Sequence, residues 1–105
     1  MSKKRAAPWS PPRTVILLEQ LWTVDRVKLS EAEGECHTKR RAIHLDPETA
    51  PEGHGEVFLH EALHALCRLS GLSESLDDGA EEKVCSSLAP ALWAMLRRNK
   101  MRFDR

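Results

Sequence analysis

Hydrophobic positions in the first half of the chain predict short β-strands. Residues 14–27 are mostly apolar and β-branched, which is typical of one long strand or of two short strands bent near Glu19 and Gln20. A further apolar run at residues 42–45 predicts another short strand, ended by the Asp-Pro pair that follows it. Together these segments predict a small antiparallel sheet of two to three strands.

Three segments are predicted to lack regular structure. Residues 1–12 are basic and rich in proline, which is typical of a disordered arm and places the single folded domain at residues 13–105. Residues 30–40 combine Gly34 with mixed charges and predict an exposed turn. Residues 46–55 carry two prolines and two glycines and predict a loop.

Apolar positions in the second half of the chain predict two helices. Residues 56–70 are apolar on almost every side of a helical wheel, so this helix is expected to be covered on most sides and to stop at Gly71. A second helix is predicted from about residue 79 to residue 98. Asp78 and the glutamate three residues later resemble a capping box at its start, and Pro90 predicts a kink or a break. The predicted fold class is α+β, with the sheet packed beside the first helix and a kinked C-terminal helix.

Composition and charge narrow the class of protein. The chain has 105 residues, which suits one domain, and 41% apolar residues are enough for a packed core. Sixteen lysines and arginines balance sixteen aspartates and glutamates, so nucleic-acid binding is disfavoured, although both ends of the chain are basic.

The three cysteines form no C-x-x-C pair, which indicates reduced thiols in a cytoplasmic protein. No apolar run approaches the length of a membrane span, and prolines stand where a signal peptide needs an apolar stretch.

The first predicted helix contains an H-E-x-x-H motif at residues 60–64. His60 and His64 are four residues apart, so a helix places both imidazoles on one face, where they can bind a single tetrahedral zinc ion. Two histidines would be costly to bury in an apolar helix without a metal, which favours zinc over accidental histidines. Glu61 is rotated away from both ligands and suits the general base that takes a proton from a zinc-bound water.

A catalytic zinc site needs a third protein ligand and an open position for water. The candidates are Glu81 and Glu82 at the start of the second helix, together with His37, His44 and His54. A helical hairpin would bring the second helix back across the first, which favours a glutamate. Because the capping box already gives Glu81 a structural role, Glu82 is preferred as the ligand, with Glu81 as the alternative.

Other polar and sulfur-containing residues near the predicted site have less specific roles. His44 lies on a strand predicted to border the cleft, where it either contacts substrate or is a partly exposed strand residue. Cys67 and Cys85 stand on apolar helix faces and are predicted to be core residues.

These elements and motifs resemble a known family over roughly residues 14–100. The resemblance is carried by a strand at 41–46, Phe58-Leu59-His60-Glu61-Ala62-Leu63-His64, the pair Glu81-Glu82 and the segment 88–92. The chain looks like the short H-E-x-x-H proteins common in phages and prophages, similar to the ImmA/IrrE-like zinc metallopeptidases. The resemblance implies a gluzincin-type site, with His60 and His64 as zinc ligands, Glu61 as the base and a glutamate of the 81–82 pair as the third ligand.

Two functions from different classes follow as hypotheses. The first is a zinc-dependent metallopeptidase that hydrolyses a peptide bond with a zinc-activated water and Glu61 as base. Larger members of the resembled family cleave a regulatory protein such as a phage repressor, which implies a protein or peptide substrate; this chain is shorter and has no recognisable helix-turn-helix. The second is a zinc-stabilised, non-catalytic module that acts by binding a protein partner. Glu61 favours the enzyme, because a purely structural site has no use for a carboxylate beside the metal.

Overall fold

Four short strands precede two helices in the computed structural model, which describes residues 10–100. The strands are β1 (Thr14–Leu17), β2 (Gln20–Arg26), β3 (Gly34–His37) and β4 (Ala42–Leu45), and the helices are α1 (His54–Leu69) and α2 (Asp78–Arg98). Single 3-10 turns lie at Pro51–Gly53 and Leu72–Glu74. The predicted α+β class is confirmed.

The strands form one mixed sheet in the order β1-β2-β4-β3. β1 and β2 pair antiparallel, β2 and β4 pair parallel, and β3 pairs antiparallel with β4. The prediction of two to three antiparallel strands is therefore wrong in the number of strands and in their pairing. β3 lies in the segment predicted as an exposed turn, and its four residues are too few for their alternation to distinguish a strand from a turn.

Residues 14–27 form two strands rather than one, joined by a tight turn at Leu18 and Glu19. Both turn residues have positive φ, 46° and 67°, which is the backbone conformation of a type I′ hairpin. Ile16 of β1 stands opposite Leu21 of β2. Ile16, Leu18 and Leu21 are 55%, 53% and 60% exposed, so this hairpin presents an apolar surface.

The core lies between the sheet and α1. Trp22 and Val24 of β2 and Ile43 and Leu45 of β4 are buried on the same face of the sheet, because alternate residues of a strand share a face. α1 packs on this face through residues that include Phe58, while α2 packs on α1 from another side. α1 is apolar almost all round because it is covered by the sheet and by α2.

The segment between the helices differs from the prediction in one way that matters for the site. Gly71 follows α1 with a φ of 85°, the left-handed conformation expected where a helix stops. The N-cap of α2 is Asp77, whose side chain accepts a hydrogen bond from the Ala80 N–H at 2.7 Å. The predicted capping box of Asp78 and Glu81 is therefore wrong, and the Glu81 carboxylate is left to make other contacts.

α2 continues through Pro90 without interruption, so the alternative of a break into two helices is wrong. A proline removes one backbone hydrogen bond from a helix. Ala89 and Leu92, on either side of Pro90, pack against the same core and offset that loss.

The predicted arm at residues 1–12 lies mostly outside the described part of the chain. Residues 10–12 have no regular secondary structure, and Pro11 is buried. Within residues 10–100, no helix combines the length and the apolar surface that crossing a bilayer requires.

Candidate metal centre

His60 and His64 lie on the face of α1 that is turned toward the start of α2. Their ring centroids are 4.9 Å apart, and the ring planes are inclined at 61°. The side chains are 22% and 12% exposed, so both rings are largely buried but still reach solvent. The helix thus positions both imidazoles as the spacing of four residues predicts.

Glu82, near the start of α2, reaches both histidines. Its Oε1 lies 3.3 Å from Nε2 of His60 and 2.8 Å from Nε2 of His64. One ligand atom from each of the three residues lies within 4.8 Å of the others. Ligand atoms around a tetrahedral zinc ion are about 3.3 Å apart when the bonds are about 2.0–2.1 Å long. His60, His64 and Glu82 therefore form a group that could hold a metal ion.

Glu81 lies behind His64 rather than among the three ligand atoms. It is 6% exposed, and its Oε2 accepts a hydrogen bond from Nδ1 of His64 at 2.6 Å. Ser73 donates a further hydrogen bond to Glu81, and the Arg68 Nε lies 3.8 Å from it. Burial acts to raise the pKa of Glu81, but the hydrogen bonds from Ser73 and His64 and the charge of Arg68 outweigh it and lower that pKa. An ionised Glu81 thus fixes the orientation of His64 and leaves its Nε2 directed at Glu82.

The electrostatics of the site favour a cation. Burial by itself lowers the pKa of His64, but hydrogen bonds to Glu81 and Glu82 and the charge of Glu61 outweigh it and raise that pKa. Partial burial acts to raise the pKa of Glu82, but hydrogen bonds from Ser86 and His64 outweigh it and lower that pKa. Three carboxylates close to two imidazoles make a positive charge between them favourable.

Glu61 is almost fully buried and lines the same cavity as the two histidines. Burial raises its pKa, and the proximity of His60 and His64 only partly opposes that effect. A buried carboxyl with a raised pKa beside a candidate metal site has the properties of a group that exchanges a proton.

Gly34 brings β3 against α1 at Glu61, a contact that sequence reasoning missed. A Cβ at this position would stand 2.7 Å from Cγ1 of Val57 and 2.9 Å from Cγ of Glu61, so a larger residue would displace both side chains. In the sequence, only the glycine itself could have indicated this contact, because a glycine within a strand is typical of a close backbone approach. A glycine also suits a turn, which is how this segment was predicted.

A cavity of about 690 Å³ joins these groups. It is lined by the segment that enters β3, by one face of α1 and by the start of α2, including Gly34, Cys36, His60, Glu61, Arg68 and Glu82. Its size is within the usual range for sites that bind small molecules.

The remaining predicted residues lie away from this cavity or in the core. His44 does not line the cavity; its ring packs against His37, with the centroids 4.3 Å apart. His54 begins α1, and its buried Nε2 has no hydrogen-bond partner among residues 10–100. Cys67 and Cys85 are buried, which confirms them as core residues, and burial together with the adjacent Cys67 raises the pKa of Cys85 to about 12.

Comparisons of the chain with protein-family models, with curated proteins and with solved structures found no match. The resemblance to the ImmA/IrrE-like metallopeptidases therefore stays a prediction.

Proposed function

We propose that the protein is a zinc-dependent peptidase in which His60, His64 and Glu82 hold the metal and Glu61 is the general base. One observation carries the proposal. Nε2 of His60, Nε2 of His64 and Oε1 of Glu82 converge at a cavity that the Glu61 carboxylate also lines. Two imidazoles and one carboxylate with an open side are the ligand set of a catalytic zinc site.

The donor atoms favour zinc over the other common divalent metals. Magnesium and calcium prefer sites made of oxygen ligands alone, whereas imidazole nitrogen suits zinc and its neighbours in the transition series. The hydrogen bond between Nδ1 of His64 and Glu81 supports metal binding by Nε2 of the same ring, because metal-binding histidines commonly donate their second nitrogen to a carboxylate.

The mechanism follows from the positions of the carboxylates. Bound zinc would supply a water of lowered pKa and polarise the carbonyl of a peptide bond. Glu61 would accept a proton from that water as the water oxygen bonds to the carbonyl carbon. Glu61 would then return the proton to the amine nitrogen as the carbon–nitrogen bond breaks. Burial, which raises the pKa of Glu61, would make its carboxylate a stronger base for the first step than an exposed glutamate.

An extended peptide is the substrate class that fits the cavity. β3 is an edge strand of the sheet and forms one side of the cavity through Gly34 and Cys36. The Cys36 carbonyl accepts a hydrogen bond from Arg68 of α1, at 3.4 Å, rather than from β4. A peptide laid along this edge would exchange backbone hydrogen bonds with it, as strands added to open sheet edges do. The resemblance adds the further proposal that the peptide belongs to a regulatory protein in the cytoplasm of a bacterial host.

A second function, the zinc-stabilised binding module, is favoured by the β1–β2 hairpin. Ile16, Leu18 and Leu21 are each more than half exposed and lie close together at one end of the sheet. Contiguous exposed apolar side chains of this kind are typical of surfaces that bind another protein. In this reading the metal would stabilise the fold, and Glu61 would have no chemical role.

Glu61→Gln distinguishes the two functions. The zinc-loaded variant and the zinc-loaded wild-type protein would be incubated with a mixed peptide library, and new termini would be counted by mass spectrometry. We expect the wild type to cleave and Glu61→Gln to lose at least about 100-fold in rate, because the general base is gone while the ligands remain. Glu74→Gln, at an exposed position outside the site, is the matched control and should cleave as the wild type does.

The zinc content and the circular dichroism spectrum of each variant would be measured in parallel. Lost cleavage with zinc and fold retained supports the enzyme. Cleavage by Glu61→Gln at the wild-type rate would exclude Glu61 as the base. No cleavage by the wild type, with zinc bound, would favour the binding module.

A further inference from the structure

A second cluster of metal-ligating side chains lies on the face of the sheet opposite α1. Ile43 and Leu45 of β4 point into the core, so His44 between them points to the other face. Glu35 of β3 stands directly opposite His44, and His37, two residues later, shares the face with Glu35.

The three side chains converge although they come from two strands. Oε1 of Glu35 lies 2.9 Å from Nε2 of His37, and the ring centroids of His37 and His44 are 4.3 Å apart, with the planes inclined at 43°. Ala42 stands opposite His37 and carries only a methyl group, which leaves room for the His37 ring to lean toward His44. One ligand atom from each of Glu35, His37 and His44 lies within 4.8 Å of the others.

The surroundings of the cluster favour a cation. Asp25 of β2 is paired in register with His44, so a row of Asp25, His44 and Glu35 crosses three strands with a carboxylate on either side of the imidazole. No hydrogen-bond partner of the His44 ring is found among residues 10–100, so its nitrogens are available to a ligand from solution. The His37 and Glu35 side chains are 35% and 44% exposed, so water can reach the cluster but would screen a bound charge only in part.

We propose that Glu35, His37 and His44 bind a second divalent transition-metal ion, with zinc as the closest match to two imidazoles and a carboxylate. Its residues are separate from those of the α1 site, so the proposal stands independently of the peptidase function. The ion would join β3 to β4. Gly34 of β3 packs against Glu61 on the α1 face of the sheet. By holding β3, the ion would therefore also fix the edge strand that borders the α1 cavity.

The test is a titration of the full chain with zinc, followed by the imidazole resonances of all five histidines in NMR spectra. We expect a second equivalent of zinc, added beyond the first, to shift the resonances of His37 and His44 with one-to-one stoichiometry. The same titration of His60→Ala/His64→Ala should shift only His37 and His44. Magnesium should shift neither, because it prefers oxygen ligands.

The variant His44→Gln tests whether His44 is a ligand of the second zinc ion. We expect it to weaken this second zinc equivalent at least about tenfold, since one of three ligands is removed. Glu31→Gln, an exposed carboxylate outside the cluster, should bind as the wild type does. Unshifted His37 and His44 resonances at a zinc excess, or equal binding by His44→Gln, would overturn the proposal. If only the His60 and His64 resonances respond, the α1 site exists without the second one; the reverse result would leave the second site standing and remove the first.

Discussion

The carboxylate of Glu81 accepts a hydrogen bond from Nδ1 of His64 at 2.6 Å, while Nε2 of the same ring lies 2.8 Å from Glu82. The two adjacent glutamates of α2 therefore contact opposite nitrogens of one imidazole. Glu81 is buried and Glu82 is exposed to the cavity. Glu81 therefore fixes the orientation of the ring, and Glu82 faces Nε2, the nitrogen that we propose binds zinc.

This division predicts graded effects on zinc affinity. Glu81→Gln should weaken zinc binding about tenfold, because the amide oxygen still accepts from His64 but the charge is lost, and Glu81→Ala should approach about 100-fold. Competition with a chromophoric chelator measures both. Glu74→Gln serves as the control and should bind zinc as the wild type does. If Glu81→Ala binds zinc as tightly as the wild type, the hydrogen bond from His64 to Glu81 does not contribute to zinc affinity.

Gly34 is predicted to be essential for the packing of β3 on α1. Gly34→Ala places a methyl group 2.7 Å from Val57 and 2.9 Å from Glu61, so we expect it to lower the free energy of unfolding by about 1–3 kcal/mol. Urea denaturation in the presence of a chelator measures this effect without a contribution from metal binding.

Gly53→Ala is the matched control for that substitution. A Cβ at Gly53 would meet only Cγ2 of Thr49, at the ordinary contact distance of 3.5 Å. Its backbone lies in the right-handed helical region, so the change should shift the free energy of unfolding by no more than about 0.5 kcal/mol. Equal effects of the two substitutions would contradict the close approach of β3 to α1.

Asp46 is predicted to make the stability of the fold depend on pH in the acid range. Its two carboxylate oxygens accept hydrogen bonds from the N–H groups of Glu48, at 2.8 Å, and Leu29, at 3.0 Å, and these bonds lower its pKa. Folding therefore favours the ionised form. The resulting stabilisation is complete above the ordinary aspartate pKa, about 3.9, and is lost as the pH falls through the lowered pKa of the folded protein.

Asp46→Asn should remove this contribution, because the amide NH2 cannot accept the hydrogen bond from Leu29. The wild type should be the more stable protein near neutral pH, and the difference should shrink as the pH falls below about 4. Urea unfolding of both proteins across the acid range measures the gap. Glu31→Gln should show no such trend, and a gap between wild type and Asp46→Asn that is constant with pH would count against the ionised carboxylate.

The parts of the site that could be predicted from the sequence are those set by a single helix. The spacing of His60 and His64 fixes their shared face once residues 54–69 are helical, and the apolar pattern of that segment made the helix evident. To predict Glu82 as the third ligand, it was also necessary to assume that the second helix returns across the first. That step was inferred from the order of the elements rather than from any local pattern.

The missed features depend on contacts between segments distant in sequence. A shift of one residue, from Asp78 to Asp77, moves the N-cap and leaves Glu81 to hold His64, and local capping preferences do not distinguish two adjacent aspartates. β3 forms because Cys36 contacts the core and Gly34 fits against α1, neither of which is visible in a four-residue pattern. The parallel pairing of β2 with β4 likewise joins strands that are separated by β3 in the chain.

The zinc content of purified protein tests the central claim most directly. Wild type, His64→Ala and His44→Ala would be passed over a chelating resin to remove loosely held metal, and zinc per chain would be measured by elemental analysis. The resin should also remove zinc from the Glu35, His37 and His44 cluster, because the His37 side chain is 35% exposed whereas that of His64 is 12% exposed. We therefore predict about one zinc per chain in the wild type and in His44→Ala, and none in His64→Ala, because the α1 site loses a ligand in that variant. Wild-type protein that holds no zinc after zinc is supplied, or His64→Ala that holds as much as the wild type, would contradict the metal centre.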